Sequence, residues 1–404
     1  MARLSTNAFL ILAALWLMMF SASAQVIIVA PILPEISEAL NIKDSLQGLL
    51  ITSYTVTLGV VALIIGPISD KVGRRRILLF GCGFMSVALA LHGIADSYAS
   101  MVTVRALAGA AGGSLSGGAV AFVGDFFPYE RRGWANGWVM SGMAFGQIVG
   151  IPAGKILADQ FGFRWPFLMF AATMLVATAL VWLFVPQPDV VRDEDRLGVR
   201  SSIVKYRALL DQGPIRSVSL VYLLMFLSLG LFVIYLPTWL ERVVGVSGTE
   251  IASLFFVGGV ANVLSSPVAG RLSDTLGRKP LIIASCIGLG VVMVLTTYVI
   301  DGIWTAYILF AVARVMFALR ISPLQSLMTA LVPDERRGML MSLAIAVGQV
   351  GMGLGSGLAG VTYTEFGYVS NTLLATGAIV IMALLVLYHV PEPTGEPASA
   401  TAVS

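Results

Sequence analysis

The chain has 404 residues, 57% hydrophobic and only 12% charged, with a mean hydropathy of +0.90 and a net charge of +3. Soluble domains carry about 25% charged residues, so half that share cannot cover a water-facing surface, and a soluble globular fold is excluded. The near-neutral balance gives no footprint for nucleic acid, and the absence of a P-loop, a nucleophile elbow and an HExxH sequence argues against ATP-driven transport and against an enzyme.

Only helices and closed barrels satisfy their backbone in lipid. The apolar runs here last about 20 residues, the length of a spanning helix rather than of a ~10-residue barrel strand. In chain order they predict spans at 8–30, 46–66, 77–95, 99–127, 134–157, 164–186, 216–237, 249–269, 280–300, 303–331, 339–361 and 369–390. In the first, Ser21-Ala22-Ser23-Ala24-Gln25 resembles a signal-peptide cleavage site. Apolar character continues to Pro31, however, which predicts an uncleaved helix. The fold class expected is an all-α integral membrane protein, twelve spanning helices in two pseudo-symmetric six-helix bundles. The bundles are expected over 1–190 and 215–391, with a linker over 191–214 and a Pro/Ala/Ser/Thr-rich disordered tail over 392–404.

Lys and Arg set the orientation. One side holds Arg3, Lys71, Arg74, Arg75, Arg76, Arg131, Arg132, six cations of the polar stretch 187–216, Arg271, Arg278, Lys279, Arg336 and Arg337; the other holds Lys43, Arg164 and Arg242. Both termini are therefore expected in the cytoplasm.

The chain repeats itself. Gly66-Pro67-Ile68-Ser69-Asp70-Lys71-Val72-Gly73-Arg74 returns as Gly270-Arg271-Leu272-Ser273-Asp274-Thr275-Leu276-Gly277-Arg278. Phe127-Pro128-Tyr129-Glu130-Arg131-Arg132-Gly133 returns as Val332-Pro333-Asp334-Glu335-Arg336-Arg337-Gly338, and Phe161-Gly162-Phe163 as Phe366-Gly367-Tyr368. Cys82 and Cys286 occupy equivalent places inside apolar runs and read as small packers, while His92 and His389 are isolated, so no metal site is expected. Duplicated helical halves with one site between them are the architecture of secondary transporters.

The loop pattern G-x-x-x-D-x-x-G-R-R/K, with its echo in the second half, resembles the signature of the major facilitator superfamily. Within it, Pro31-Ile32-Leu33-Pro34-Glu35, the region of Arg105 and Asp125-Phe126-Phe127-Pro128 resemble the twelve-helix drug/proton antiporter family. The resemblance implies alternating access, proton-coupled export of small amphipathic organic solutes, and a bacterial inner (plasma) membrane location. It implies a small-molecule substrate and the lipid bilayer as partners, no cofactor beyond a proton gradient, and a monomer. In the family the loop motif gates one end of the bundle, which here assigns Gly66, Asp70, Gly73, Arg74 and Asp125, with Asp274, Gly277 and Arg278 in the second half. Ala330 stands where a second Asp125 would be, which weakens the second gate.

The fifth span carries Gly142, Gly146, Gly150, Pro152 and Gly154, a close-packing face that resembles the antiporter motif of exporters. Ile151 separates Gly150 from Pro152, and Lys155 follows Gly154, so the match is partial. An ionisable group at membrane depth marks function by default. Arg105, Arg314 and Arg320 are the candidates, with Glu35 at the outer end of the first span and Gln25, Tyr54, Gln147, Asn262 and Gln349 as polar candidates; Tyr222, Tyr235 and Gln325 are further polar residues in the spans. Interior guanidinium groups grip carboxylate or phosphate in bidentate fashion. They keep two rivals open: an organic-anion transporter, and a carrier of lysophospholipid or a lipid-like anion.

Overall fold

The computed structural model describes residues 6–188 and 199–391. The expected disordered tail and the first part of the expected linker, 191–198, lie outside the described residues. Lipid offers the backbone no partners, so every spanning segment closes its own hydrogen bonds as a helix, and among the described residues no strand occurs. The first half holds α1 (Thr6–Ile27), α2 (Leu49–Val72) and α3 (Arg74–Ala90). It continues with α4 (Tyr98–Leu115, resumed over Gly118–Phe126), α5 (Tyr129–Phe145 and Ile151–Phe161) and α6 (Arg164–Phe184). The second half holds α7 (Gly213–Val233), α8 (Gly248–Leu276), α9 (Arg278–Val299), α10 (Ile303–Thr329), α11 (Asp334–Phe366) and α12 (Tyr368–His389). Eleven of these segments are long and apolar enough to cross a membrane. The twelfth, α5, is richer in glycine and polar residues and is widened by a π turn over Gly146–Gly150. Pro152 has no N–H to give its helix, and the N–H of Ile151 reaches back to the Gly146 carbonyl just before it.

The two halves pack alike. α1 lies on α5 and α6 as α7 lies on α11 and α12; α2 pairs with α4 as α8 pairs with α10; α3 contacts α4 and α6 as α9 contacts α10 and α12. The halves meet through two helix pairs, α2 with α11 and α5 with α8, which the pseudo-two-fold exchanges. Sharp turns from α2 to α3 and from α8 to α9 rest on Gly73 and Gly277, at φ of 106° and 87°, a region that side chains with a Cβ avoid. Inside the expected linker, Val199–Leu210 forms a helix that touches α2 and α11, one from each half.

Small residues allow these approaches, as in other membrane bundles. The glycine face of α5 packs on α1: Gly142 faces the Trp16 carbonyl, Gly146 the Phe20 carbonyl, Gly150 Ala24, and Gly154 Ile28. In the second half Gly351 and Gly355 meet the carbonyls of Leu223 and Leu227 on α7. Glu130 to Glu335, Gly146 to Gly351 and Gly150 to Gly355 share one offset, 335 − 130 = 205, so the same packing is built twice. Gly146→Leu should destabilise the protein by about 1–3 kcal/mol through overpacking, read as a lower melting temperature in detergent. Gly377→Ala, where a Cβ meets open space, should be neutral or raise stability by up to about 1 kcal/mol.

Candidate translocation site and the closures at its two ends

Near the middle of the bundle, α10 presents Arg314 and Arg320 beside two adjoining narrow clefts of about 20 Å³ each, room for little more than one water, that share Leu229, Val233, Phe310 and Arg314. Apart from Ser228 and Gln147 the walls are otherwise apolar and include Met293 and Met352. Arg314 Nη2 donates to Gln147 Oε1 of α5 at 3.3 Å, a bond between the halves. Arg320 is fully buried. Its Nη1 meets only the soft Sγ of Cys286, at 3.9 Å, and its Nε has no partner among the described residues. Its guanidinium lies 5.5 Å from the Phe317 ring centre, and that of Arg314 lies 5.8 Å away.

Arg105 is placed differently. It is fully buried, stacks at 4.3 Å over Tyr54, and gives long bonds of 3.4 Å to the carbonyls of Leu50 and Gln25, all within the first half. The Gln25 amide is buried without partners. Thus Gln25, Tyr54 and Arg105 cluster inside one half, Gln147 meets Arg314 between the halves, and Arg320 lines the adjoining cleft inside the second half. Gln349 lies on the α2–α11 seam, its Cβ near Gly59, with its Oε1 buried and unpaired. Asn262 lies on α8 beyond Gly259, away from the clefts described. Of the other polar residues, Tyr235 serves the seam between the halves: its hydroxyl donates to the Asp44 carbonyl at 2.7 Å and accepts from the Gly48 N–H at 3.0 Å.

One end of the bundle carries the repeated loop motif. Arg74 Nε donates to Asp125 Oδ2 at 2.9 Å, and its Nη1 donates to Ser69 Oγ at 3.0 Å. In the second half Arg278 Nη1 meets only the Ser326 carbonyl, at 3.4 Å. Gly66 and the side chains of Asp70 and Asp274 lie outside the described residues.

The opposite end is closed by contacts that the sequence patterns did not reveal. Arg242 Nη1 bonds Asp44 Oδ2 at 2.8 Å across the halves. Lys155, its side chain 1% exposed, bonds the Glu35 carboxylate and, at 2.9 Å, Asp159 Oδ1. Asp159 in turn abuts Gly248, the first residue of α8. Burial and the neighbouring Asp159 push the Glu35 carboxyl up to about 7, against the pull of Lys155. The i,i+4 spacing of Lys155 and Asp159 was the one local signal of this cluster. The hydrogen bonds described between the halves lie at this end or near the middle.

Comparison with known proteins agrees with this architecture. A profile of the Major Facilitator Superfamily matches residues 15–262 and 218–403. The uncharacterized MFS-type transporter YceJ of Bacillus subtilis (strain 168) is 25% identical over 391 residues, covering 95% of this chain and 97% of the relative. The multidrug resistance protein MdtG of Proteus mirabilis (strain HI4320) is 24% identical over 383 residues, covering 92% and 93%. Among solved structures, a D-xylose-proton symporter superposes with a TM-score of 0.77 at 16% identity, covering 96% of this chain and 99% of that one. The human organic anion transporter MFSD10 (TETRAN) superposes with 0.72 at 18%, covering 94% and 99%. With two matches that together span nearly the whole chain, a twelve-helix duplicated fold and a central cleft between the halves, this protein belongs to the Major Facilitator Superfamily.

Proposed function

We propose that the protein exports amphipathic organic anions from a bacterial cytoplasm, driven by the proton gradient, with Arg314 and Arg320 holding the anionic head. The chain is a multi-pass membrane transporter that works by alternating access. The observation that carries the substrate class is Arg320: a fully buried guanidinium with, among the described residues, no acid beside it and no partner for its Nε, at an apolar cleft. A buried cation without a counterion is costly, and a carboxylate or phosphonate entering the cleft relieves that cost through charge-assisted, bidentate bonds. Phe310, Phe317 and Met293 suit the apolar body of such a solute. Gln147 fits as a neutral place-holder on Arg314, which a charged oxygen displaces.

The direction of transport rests on the multidrug resistance relatives and on the glycine face of α5. The orientation rests on the Lys/Arg asymmetry, which puts the Arg74 end and both termini in the cytoplasm. The halves over 1–190 and 215–391 then rock about the α2–α11 and α5–α8 seams. The Arg74–Asp125 pair stiffens the first half at its cytoplasmic end, where the halves must part and close.

An aryl carboxylate at about a hundredfold its Kd should stabilise the purified protein by about 2.7 kcal/mol, read as a raised melting temperature, and Arg320→Ala should abolish the shift. Stabilisation by lipophilic cations that survives Arg320→Ala would overturn the anion class. A half-exposed ion pair contributes around 1 kcal/mol, so Asp125→Asn should slow transport in proteoliposomes about fivefold. It should leave carboxylate binding intact, and the charge-swapped pair Arg74→Asp with Asp125→Arg should recover part of the rate.

A further inference from the structure

We propose that Glu35, together with Lys155 and Asp159, binds a proton from the outer side as the outer end closes and returns it to that side when the end reopens, so that outside acid favours the closed state. The inference deepens the proton-coupled export proposed above and rests on it for orientation. Two carboxylates share one ammonium, so the cluster carries one net negative charge when all three are ionised and none when Glu35 is protonated. Lys155 is almost wholly buried, while Glu35 and Asp159 keep 22% and 28% of their side-chain surface. Burying a net charge is far costlier than burying a neutral, hydrogen-bonded set.

The cluster sits where closure buries it. Lys155 and Asp159 ride on α5, which packs against α8 of the other half. A Cβ at Gly248 would lie 2.7 Å from Asp159 Oδ1, so the Asp159 carboxylate is pressed against the N-terminus of a 29-residue helix. Glu35 Oε2 is buried and without a partner among the described residues, ready to carry a hydrogen.

Other charges around Glu35 are few. Glu38 shares its short helix, Leu33–Leu40. Glu241 and Arg242 approach from the other half, the latter engaged by Asp44. Glu250 at the start of α8 is occupied in capping Ser247. Pro34, Ser37, Glu38, Ile42, Glu241 and Arg242 line an outer cleft of about 300 Å³, formed by the chain neighbours of Glu35.

The sign follows from linkage. In the closed state Glu35 titrates near 7, raised from an ordinary 4.5 by burial first and Asp159 second. When α5 and α8 part, water reaches the cluster and the value falls back toward 4.5. The closed state therefore holds the proton more tightly. Its advantage is full below about 4.5 and is lost as pH rises through about 7. For an exporter this is the useful direction: outside acid loads Glu35, the outer end shuts, and the carrier returns to face the cytoplasm.

The test places nitroxide labels at Phe161→Cys and Val243→Cys, both exposed and on opposite sides of the outer seam, in the full chain with Cys82 and Cys286 changed to alanine. Pulsed EPR distances in lipid nanodiscs are then read from about pH 5 to pH 9. The short, closed population should fall about tenfold or more relative to the open one as pH rises through 7. Glu35→Gln should stay closed across the range. A Glu35→Gln protein that keeps the wild-type pH response, or a wild type without one, overturns the proposal. If Glu35→Gln does not fold, Glu35→Asp should move the midpoint downward, and an unmoved midpoint overturns it equally. Melting shifts with the aryl carboxylate are measured on the same samples. A pH response without carboxylate binding sinks the anion reading alone, and carboxylate binding without a pH response sinks only the proton site.

Discussion

A charge taken out of water must find a partner, and the buried cations of this protein meet that demand in three different ways. Arg105 leans on two carbonyls and the face of Tyr54. Lys155 takes two carboxylates. Arg320 has a thiol sulfur and an aromatic ring, neither of which neutralises it. The first arrangement holds a helix in place, the second is the proposed proton-dependent clamp, and the third is the proposed anion site. Cations that look alike in sequence are thus sorted by what surrounds them.

Duplication explains the frame, and divergence explains the function. The pseudo-two-fold exchanges the α2–α11 seam with the α5–α8 seam. With the offset of 205, Lys155 corresponds to Gly360, because 155 + 205 = 360. Gly360 lets the Ser45 carbonyl and the Tyr235 hydroxyl come close, so one seam closes by backbone approach and hydrogen bonds. At the other seam Lys155, Glu35 and Asp159, all of the first half, lie beside Gly248 of the second. Arg105 likewise corresponds to Phe310, and Asp125 to Ala330. A carrier with two identical seams has no reason to respond to protons on one side only. Replacing a glycine by a lysine flanked by acids gives one seam that response and leaves the other as a hinge.

The glycine face of α5 shows how a motif can be legible while its contact is not. The spacing of Gly142, Gly146 and Gly150 announces a close approach, and a close approach occurs. Its partner is α1 within the same half rather than the opposite bundle. The face therefore fixes the angle at which α5 meets α1, and this in turn delivers Gln147 to the centre and Lys155 to the outer end. Motif and mechanism are connected through that placement.

Helix number, span positions and the internal repeat that places Gly73 and Gly277 between spans were legible in the sequence. The reason is local: in lipid each segment must satisfy its own backbone, so about 20 apolar residues speak for themselves. The helix at Val199–Leu210 and the π turn before Pro152 were not legible, the first lying in a polar stretch and the second being a detail of hydrogen-bond register. Side-chain partnerships were decided only by the tertiary structure. Glu35 meets Lys155 across 120 residues, and Asp44 meets Arg242 across 198. Which of three interior arginines reaches the central cleft depends on the rotation of each helix about its axis. That rotation is set by packing against neighbours, a property of the whole assembly that no single segment encodes.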